Sequence, residues 1–146
     1  MVAKGGSAHA PGRARGGPGT NIHALSDNRE RPIAFHLTGA NVSDFTEAEA
    51  LLPLAPANGV LHGDKGYVSG RIHRIVEERG SLRNIPPRKT HNWKNCFLPY
   101  PYQSRAVIGR MLGRLKEFRR IATCHDRNAR NFLWSLCLAA TVCYWL

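Results

Sequence analysis

The chain consists of short apolar runs separated by polar turns, and the spacing of the apolar positions predicts four strands and four helices. The runs at 21–26 and 32–37 flank a polar turn, which is the pattern of a β-hairpin. The run at 59–62 is bounded by glycines, as expected for a buried strand, and 82–85 predicts a further strand that two prolines end.

Helical spacing accounts for the other apolar positions. Ser69 is placed to cap a helix that Gly80 ends, and the apolar positions from 107 to 118 recur at the interval of one helix face. The predicted helices cover 45–52, 70–79, 102–123 and 128–146. Strands and helices in this order indicate a mixed α/β domain.

Residues 1–20 differ in composition from the rest of the chain. They contain six Gly, two Pro and three basic residues, with few side chains that a core could bury. Such a composition predicts a flexible basic linker. The folded domain is therefore expected over 21–146, a length that suits one domain.

The formal net charge of +11 comes entirely from the second half of the chain. Residues 1–78 contain 8 basic and 8 acidic side chains, whereas residues 79–146 contain 13 basic and 2 acidic ones. A surface of this kind favours a polyanionic partner such as DNA. A basic soluble protein without a ligand is the alternative that the charge alone leaves open.

The cysteines indicate a reducing compartment. Cys96, Cys124, Cys137 and Cys143 form no CxxC pair and no zinc spacing, so they are interpreted as structural thiols. The chain has no N-terminal signal stretch, and its final apolar run, 132–146, is shorter than the roughly 20 residues that cross a bilayer. We therefore expect a cytoplasmic location and no membrane partner.

Asp64 is the first candidate for site chemistry, because it directly follows the strand predicted at 59–62. Clefts form at the carboxyl ends of strands in α/β sheets, so a carboxylate there is well placed for a site. The same residue could instead cap the turn before the next helix. The local sequence leaves both interpretations open.

The predicted helix 102–123 carries the second candidate. Tyr102, Arg105, Gly109 and Lys116 fall within an arc of about 60° on one side of it. Arg and Lys on one face suit phosphate binding, although a solvated basic face has the same pattern. The further basic candidates for DNA contact are Arg110, Arg114, Arg119 and Arg120.

These residues resemble a known signature. The pattern Tyr102-x2-Arg105-x3-Gly109-x6-Lys116 has the spacing of the Tyr-Arg-Glu-Lys signature of bacterial insertion-sequence DDE transposases. The segment HGDKGY at 62–67 resembles the block around the second catalytic Asp of that family. The resemblance extends over about residues 13–146 and is closest to the insertion sequence five group.

The resemblance implies an RNase H-like fold and metal-dependent DNA chemistry. In that family two Asp and one Glu hold two divalent ions, Mg²⁺ or Mn²⁺, for cleavage and strand transfer at element ends. Asp64 corresponds to the second Asp and thus to a catalytic metal ligand. Tyr102, Arg105 and Lys116 correspond to residues that hold DNA phosphates.

The chain departs from that pattern at two carboxylates. Gly109 stands at the position of the Glu, and the first Asp is absent together with the strand that carries it. The resemblance therefore implies an incomplete RNase H-like sheet without its first central strand. It predicts a truncated, catalytically impaired transposase associated with the nucleoid, working as a homodimer or with a complementing transposase chain.

Two alternatives to that function remain. One is a non-catalytic, DNA-binding remnant of a transposase, and the other is an unfolded product without function. The missing carboxylates separate membership of the family from activity.

Overall fold

The computed structural model describes residues 2–5, 12–14, 17–39, 44–87, 98, 106–123 and 128–146. Within these ranges the strands are β1 (Val2–Gly5), β2 (Gly12–Ala14), β3 (Gly17–Ser26), β4 (Pro32–Gly39), β5 (Val60–His62) and β6 (Leu82–Asn84). The helices are α1 (Asp44–Leu51), α2 (Gly70–Glu78), α3 (Ala106–Leu115), α4 (Arg119–Ala122) and α5 (Ala129–Tyr144). Short 3-10 turns follow at Leu52–Leu54 and Lys65–Tyr67. The mixed α/β class is confirmed.

The predicted hairpin is confirmed as the antiparallel pair β3–β4, in register from Thr20↔Gly39 to Leu25↔Ala34. Asp27 closes its turn by accepting hydrogen bonds from the backbone N–H groups of Arg29 and Arg31, each at 2.9 Å. Burial raises the pKa of Asp27, but its hydrogen bonds and the charge of Arg31 outweigh burial and hold this pKa below its ordinary value.

The hairpin lies inside a four-stranded sheet of order β1-β4-β3-β2. β1 is parallel to β4, and β2 is antiparallel to β3. Both outer strands lie within residues 1–20, where the composition predicts a flexible linker. The composition does not predict these strands because strands pair through their main-chain N–H and C=O groups. Small residues such as Gly and Ala have the same main-chain groups as large ones.

The pleat of the hairpin gives the sheet two different faces, because successive side chains of a strand point to opposite sides. Ile22, Ala24, Phe35 and Leu37 belong to an apolar cluster with side chains of α3 and α5. The alternate positions along the same strands carry buried polar side chains, among them His23.

A second apolar cluster is built around α2. Its buried members are Ala48, Leu52, Val68, Ile72, Val76 and Ile85. The predicted caps of α2 are confirmed, and the helix ends at Glu78, one residue before the predicted end. The Ser69 hydroxyl accepts from the Ile72 N–H at 3.1 Å, and Gly80 follows the helix with φ +65°. The parallel pair β5–β6 lies beside this helix as a separate two-stranded sheet.

The strand prediction at 59–62 needs one correction. β5 exists, but Val60 is about half exposed and its partner Leu82 is 71% exposed, so this pair is not buried. Glycine boundaries indicate where a strand ends, but neighbouring elements decide whether it is covered. The RNase H-like arrangement, in which these strands would belong to one sheet, stays a prediction.

The long helix predicted at 102–123 is wrong in its second half. α3 ends at Leu115, Phe118 is extended with ψ 110°, and α4 begins at Arg119. On a straight helix Ile121 would lie about 80° around the axis from Met111. The break instead brings Ile121 into the core with Met111 and Leu115. The last helix is confirmed as α5, which the Asn128 side chain caps.

Candidate nucleic-acid interface and the Asp64 loop

The residues that follow β5 form a short loop, Gly63–Tyr67, which we call the Asp64 loop. Asp64 has an extended backbone, and its Oδ1 accepts a hydrogen bond of 2.6 Å from the Lys65 N–H. The capping interpretation is therefore confirmed. The Asp64 side chain is exposed, and its assignment as a metal ligand stays a prediction.

Tyr67 anchors this loop to the sheet. Its hydroxyl lies 3.3 Å from Nδ1 of His23, and Nε2 of His23 lies 2.9 Å from Oγ1 of Thr38. The His23 side chain is buried between these partners. The sequence gives no signal for this contact, because it joins positions 44 residues apart.

Close packing also fixes the start of the loop. A Cβ atom at Gly63 would lie 3.2 Å from Cγ1 and 3.3 Å from Cδ1 of Ile85. Ile85 is a buried member of the second cluster, so a larger residue at position 63 would push against that core. Gly63 therefore allows the loop to lie directly on the second cluster.

His62, at the end of β5, bonds to a residue that sequence reasoning missed. Its Nδ1 lies 3.3 Å from Nδ2 of Asn84, a buried side chain on β6. The Asn84 amide also bonds the backbone of Leu98 through the Leu98 N–H at 3.0 Å and the Leu98 carbonyl at 2.9 Å. Burial lowers the pKa of His62, which favours the neutral ring that accepts from Asn84.

Two of the four signature residues are placed by the structure. Gly109 lies on an exposed part of α3, and no heavy atom outside its own helix turn and neighbours lies within 4 Å of the position a Cβ would take. Lys116 is exposed just after α3, and its N–H still bonds the Leu112 carbonyl at 3.0 Å. Tyr102 and Arg105 lie outside the described residues.

The predicted basic candidates that the structure describes are exposed along α3, α4 and the turn between them. They are Arg110, Arg114, Lys116, Arg119 and Arg120. Arg110 forms an ion pair with Glu30 of the hairpin turn, and the guanidinium of Arg114 lies 5.9 Å from the centre of the Tyr144 ring. We call this set the α3–α4 basic surface. The sequence from 106 to 123 contains one acidic residue, Glu117.

The Asp64 loop and the basic surface are attached to the same strand. Tyr67 bonds His23 of β3, whereas α3 packs with the neighbouring side chains Ile22 and Ala24. These side chains alternate along β3, so the two attachments lie on opposite faces of the sheet. β3 therefore connects the Asp64 loop to the α3–α4 basic surface.

The described residues do not fit a site for two divalent ions. Within the described ranges, no three His, Cys, Asp or Glu side chains are grouped so that they could hold a metal ion. Mg²⁺ requires several oxygen ligands in near-octahedral geometry. Asp64 is a single exposed carboxylate, and Gly109 offers no side chain where the resemblance would place the third ligand.

No helix in the described part of the chain is long and apolar enough to cross a membrane.

The chain is similar to a known protein and matches a family profile. The chain is 32% identical over 128 residues to a protein of Burkholderia cepacia that is named as a transposase for insertion sequence element IS402. The aligned region covers 80% of this chain and 57% of that relative, so the chain spans little more than half of the relative's length. No solved structure gives a significant match. The profile of the family described as Transposase DDE domain matches residues 3–144, and the chain therefore belongs to the DDE transposases of insertion sequences.

Proposed function

We propose that this chain acts in DNA transposition as a polypeptide that binds duplex DNA, and that it is catalytically impaired as it stands. The observation that carries the proposal is the α3–α4 basic surface, where five basic side chains are exposed on neighbouring turns. Family membership supports DNA as the polyanion.

The arrangement of the basic side chains suits a phosphate backbone. Arg110 and Arg114 are four residues apart, so they are neighbours on the surface of α3. Arginine can hold a phosphate through two parallel hydrogen bonds, and lysine adds a point charge. Binding to phosphates carries no sequence information, so we expect little preference among duplexes.

The members of the surface are not equivalent. Glu30 accepts a hydrogen bond from Nε of Arg110, so binding DNA through Arg110 would require this ion pair to be given up. The Arg114 guanidinium instead lies 5.9 Å from the centre of the Tyr144 ring. In this contact no carboxylate competes with a DNA phosphate for the Arg114 N–H groups. We therefore propose that Arg114 contributes more to DNA affinity than Arg110.

The proposal of impaired catalysis is supported by Gly109, which offers no carboxylate at the position of the signature Glu. In-line displacement at phosphorus with two metal ions needs ligands that bridge and position both ions. A second copy of this chain would add another Asp64 but no residue for Gly109. A complementing transposase chain with its own carboxylates is therefore the partner that would restore Mg²⁺- or Mn²⁺-dependent cleavage, in the nucleoid of the cytoplasm. The alternative function is a DNA-binding remnant that never takes part in cleavage.

The experiment is a fluorescence anisotropy titration of labelled duplex DNA with the full chain and two charge-reversal variants. Arg114→Glu should weaken binding to all duplexes alike and reduce the slope of log affinity against log salt by about one or more. Arg74→Glu, on an exposed position of α2 in the charge-neutral half, is the matched control and should change little. Equal effects of the two variants would assign binding to net charge and reject this surface.

A further inference from the structure

The turn between β3 and β4 brings a carboxylate onto α3. Within the turn, Asp27 pairs with Arg31, Oδ2 to Nε at 2.8 Å. Glu30 instead accepts a hydrogen bond from Nε of Arg110, a residue of α3 that lies 80 positions further along the chain. The φ of Glu30 is +66°, in the left-handed region that residues other than glycine rarely adopt. The turn therefore carries a glutamate at a position where glycine would suit its backbone better.

The two partners of this ion pair differ in exposure. The Glu30 side chain is 24% exposed, whereas that of Arg110 is 58% exposed. A ligand that approaches α3 from solvent therefore reaches the Arg110 guanidinium more easily than it reaches the carboxylate. Carboxylates and phosphates bind a guanidinium through the same planar set of N–H donors. Glu30 thus takes up part of the group that would otherwise hold a phosphate.

The charge of Glu30 also extends to the next turn of α3. Burial raises the pKa of the Tyr144 phenol above its ordinary value; the charge of Arg114 opposes this shift, and the charge of Glu30 adds to it. Glu30 and Arg114 therefore both lie within electrostatic reach of the same hydroxyl. The negative potential of Glu30 thus acts on Arg114 as well as on Arg110, its direct partner.

We propose that Glu30 is an autoinhibitory residue of the α3–α4 basic surface: in the free chain its carboxylate occupies Arg110, and a DNA phosphate has to displace it. This inference rests on the proposed binding of DNA and adds the group that weakens that binding. Because the turn keeps Glu30 beside Arg110, the carboxylate competes at an effective concentration of about mM or higher. The carboxylate also repels any phosphate that approaches Arg110 before Glu30 has moved away.

Binding is then expected in two steps. Arg114 and Lys116 contact the phosphate backbone first, since the Tyr144 ring and not a carboxylate faces Arg114. Their contacts hold a further phosphate near Arg110, where it replaces Glu30 on the same guanidinium. DNA binding thereby breaks the contact between the hairpin turn and α3.

A purely structural role for the ion pair makes different predictions. Ion pairs exposed to solvent contribute little to stability, because water screens the charges and the side chains lose freedom. Ile22 and Ala24 of β3 already pack with the apolar side chains of α3, so the hairpin is held to this helix without the pair. Removal of a structural pair would lower stability and leave DNA affinity unchanged. Removal of an autoinhibitory carboxylate should raise DNA affinity and leave stability nearly unchanged.

The first test is an anisotropy titration of a labelled duplex with the full chain at low salt. Glu30→Gln keeps the size of the side chain and removes its charge, so affinity should rise by about two- to fivefold, the range for an exposed ion pair. Glu49→Gln is the matched control, because Glu49 of α1 is 23% exposed and pairs with Nε of Arg71 at 3.0 Å. It removes the same charge from a different surface and should change affinity little. An unchanged affinity of Glu30→Gln, or equal gains in the two variants, would overturn the proposal.

A double-mutant cycle shows whether Glu30 acts through Arg110. In an Arg110→Gln background, Glu30→Gln should lose most of its effect on DNA affinity, because the guanidinium for which carboxylate and phosphate compete is gone. A gain of full size in that background would contradict competition at Arg110. Urea unfolding of Glu30→Gln gives the second readout. A clear loss of stability without a gain in affinity would assign the pair a structural role instead.

A titration with inorganic phosphate tests the competition without DNA. The NMR signal of the Arg110 Nε–H should respond at a phosphate concentration about two- to fivefold lower in Glu30→Gln than in the parent chain, at constant ionic strength set with chloride. An equal response of the two proteins would overturn the proposal. If the phosphate response behaves as expected but the parent chain does not bind DNA, the proposed function fails and the competition at Arg110 stands.

Discussion

The Tyr67 hydroxyl and Nδ1 of His23 are 3.3 Å apart, and this contact fastens the Asp64 loop to the central hairpin. His23 in turn lies 2.9 Å from Thr38 on β4, so a line of polar side chains crosses two strands and reaches the loop. The position of Asp64 relative to the sheet thus depends on a buried imidazole rather than on Asp64 itself.

Removal of the Tyr67 hydroxyl should destabilise the fold. Tyr67→Phe should lower the free energy of unfolding by about 1 kcal/mol, the usual worth of a hydrogen bond between side chains. Urea unfolding followed by circular dichroism measures the change. Tyr144→Phe is the control, because the Tyr144 hydroxyl reaches the Met111 carbonyl at only 3.5 Å and its loss should cost less. Equal costs would show that the contact to His23 contributes little.

DNA binding by the parent chain should depend steeply on salt. The excess of 11 positive charges lies in residues 79–146, and a surface that neutralises six or more phosphates releases as many counterions. Affinity should fall by about 10³-fold or more between 50 and 200 mM salt. Gel-shift or anisotropy titrations at several salt concentrations test this, and an affinity that hardly changes would contradict a phosphate-based mode.

Signature residues should contribute more to DNA binding than basic residues elsewhere. Arg105→Ala and Lys116→Ala should each weaken duplex binding, because the resemblance assigns both to phosphate contact. Arg74→Ala should weaken it less, since Arg74 lies on α2 in the neutral half of the chain. A gel-shift series in which Arg74→Ala is the most damaging change would reject the assignment.

The chain should not cleave DNA, and the addition of one carboxylate at position 109 should not restore cleavage. We expect no Mg²⁺- or Mn²⁺-dependent nicking of element-end DNA by the chain as it stands. Gly109→Glu should fold, because open space surrounds the Cβ position, but it adds one carboxylate to Asp64 where the family's site has three.

A four-part nicking assay separates the possibilities. It compares the parent chain, Gly109→Glu, a form with both the Glu and an upstream Asp-bearing strand, and that form with Asp64→Ala. Activity is expected in the third and should be lost in the fourth. Nicking by the parent chain that Asp64→Ala abolishes would mean that other residues supply the missing ligands.

Stability should fall as the pH drops below about 6.5, in part because of His62. Burial lowers the pKa of His62 in the folded chain below its ordinary value of 6.5, so the unfolded chain binds the proton more tightly. The stabilisation that neutral His62 gives the folded chain is complete above pH 6.5. It is lost as the pH falls through the pKa of His62 in the folded chain. His62→Gln should therefore flatten the decline in unfolding free energy between about pH 7 and 5. An unchanged slope would show that other histidines dominate.

The elements that the sequence predicts well are those with local signals. Ser69 and Gly80 mark the two ends of α2 because a hydroxyl cap and a residue with positive φ act within a few positions of the helix. Asp27 likewise closes the β3–β4 turn through its immediate neighbours. Such signals need no knowledge of the tertiary fold.

The features that sequence reasoning missed depend on distant partners. The break before α4 follows from the burial of Ile121 beside α5, and helical periodicity alone contains no information about that packing. Asn84 reads as an ordinary polar residue of a short strand, yet it bonds both His62 and Leu98. The same holds for the candidate site. Sequence spacing predicts Asp64 and the basic residues of the site, but it does not predict the contact between Tyr67 and His23 of β3.

The open space around Gly109 has a consequence for how this sequence can change over generations. Because a Cβ there would meet no neighbouring side chain, the fold does not select for glycine at this position, nor does it penalise its replacement. Glycine in an exposed helix costs about 1 kcal/mol relative to alanine, so most replacements would be neutral or mildly beneficial for folding. Glycine and glutamate codons are neighbours in the genetic code. Position 109 is therefore free to drift, and the carboxylate that the family signature expects lies within easy mutational reach.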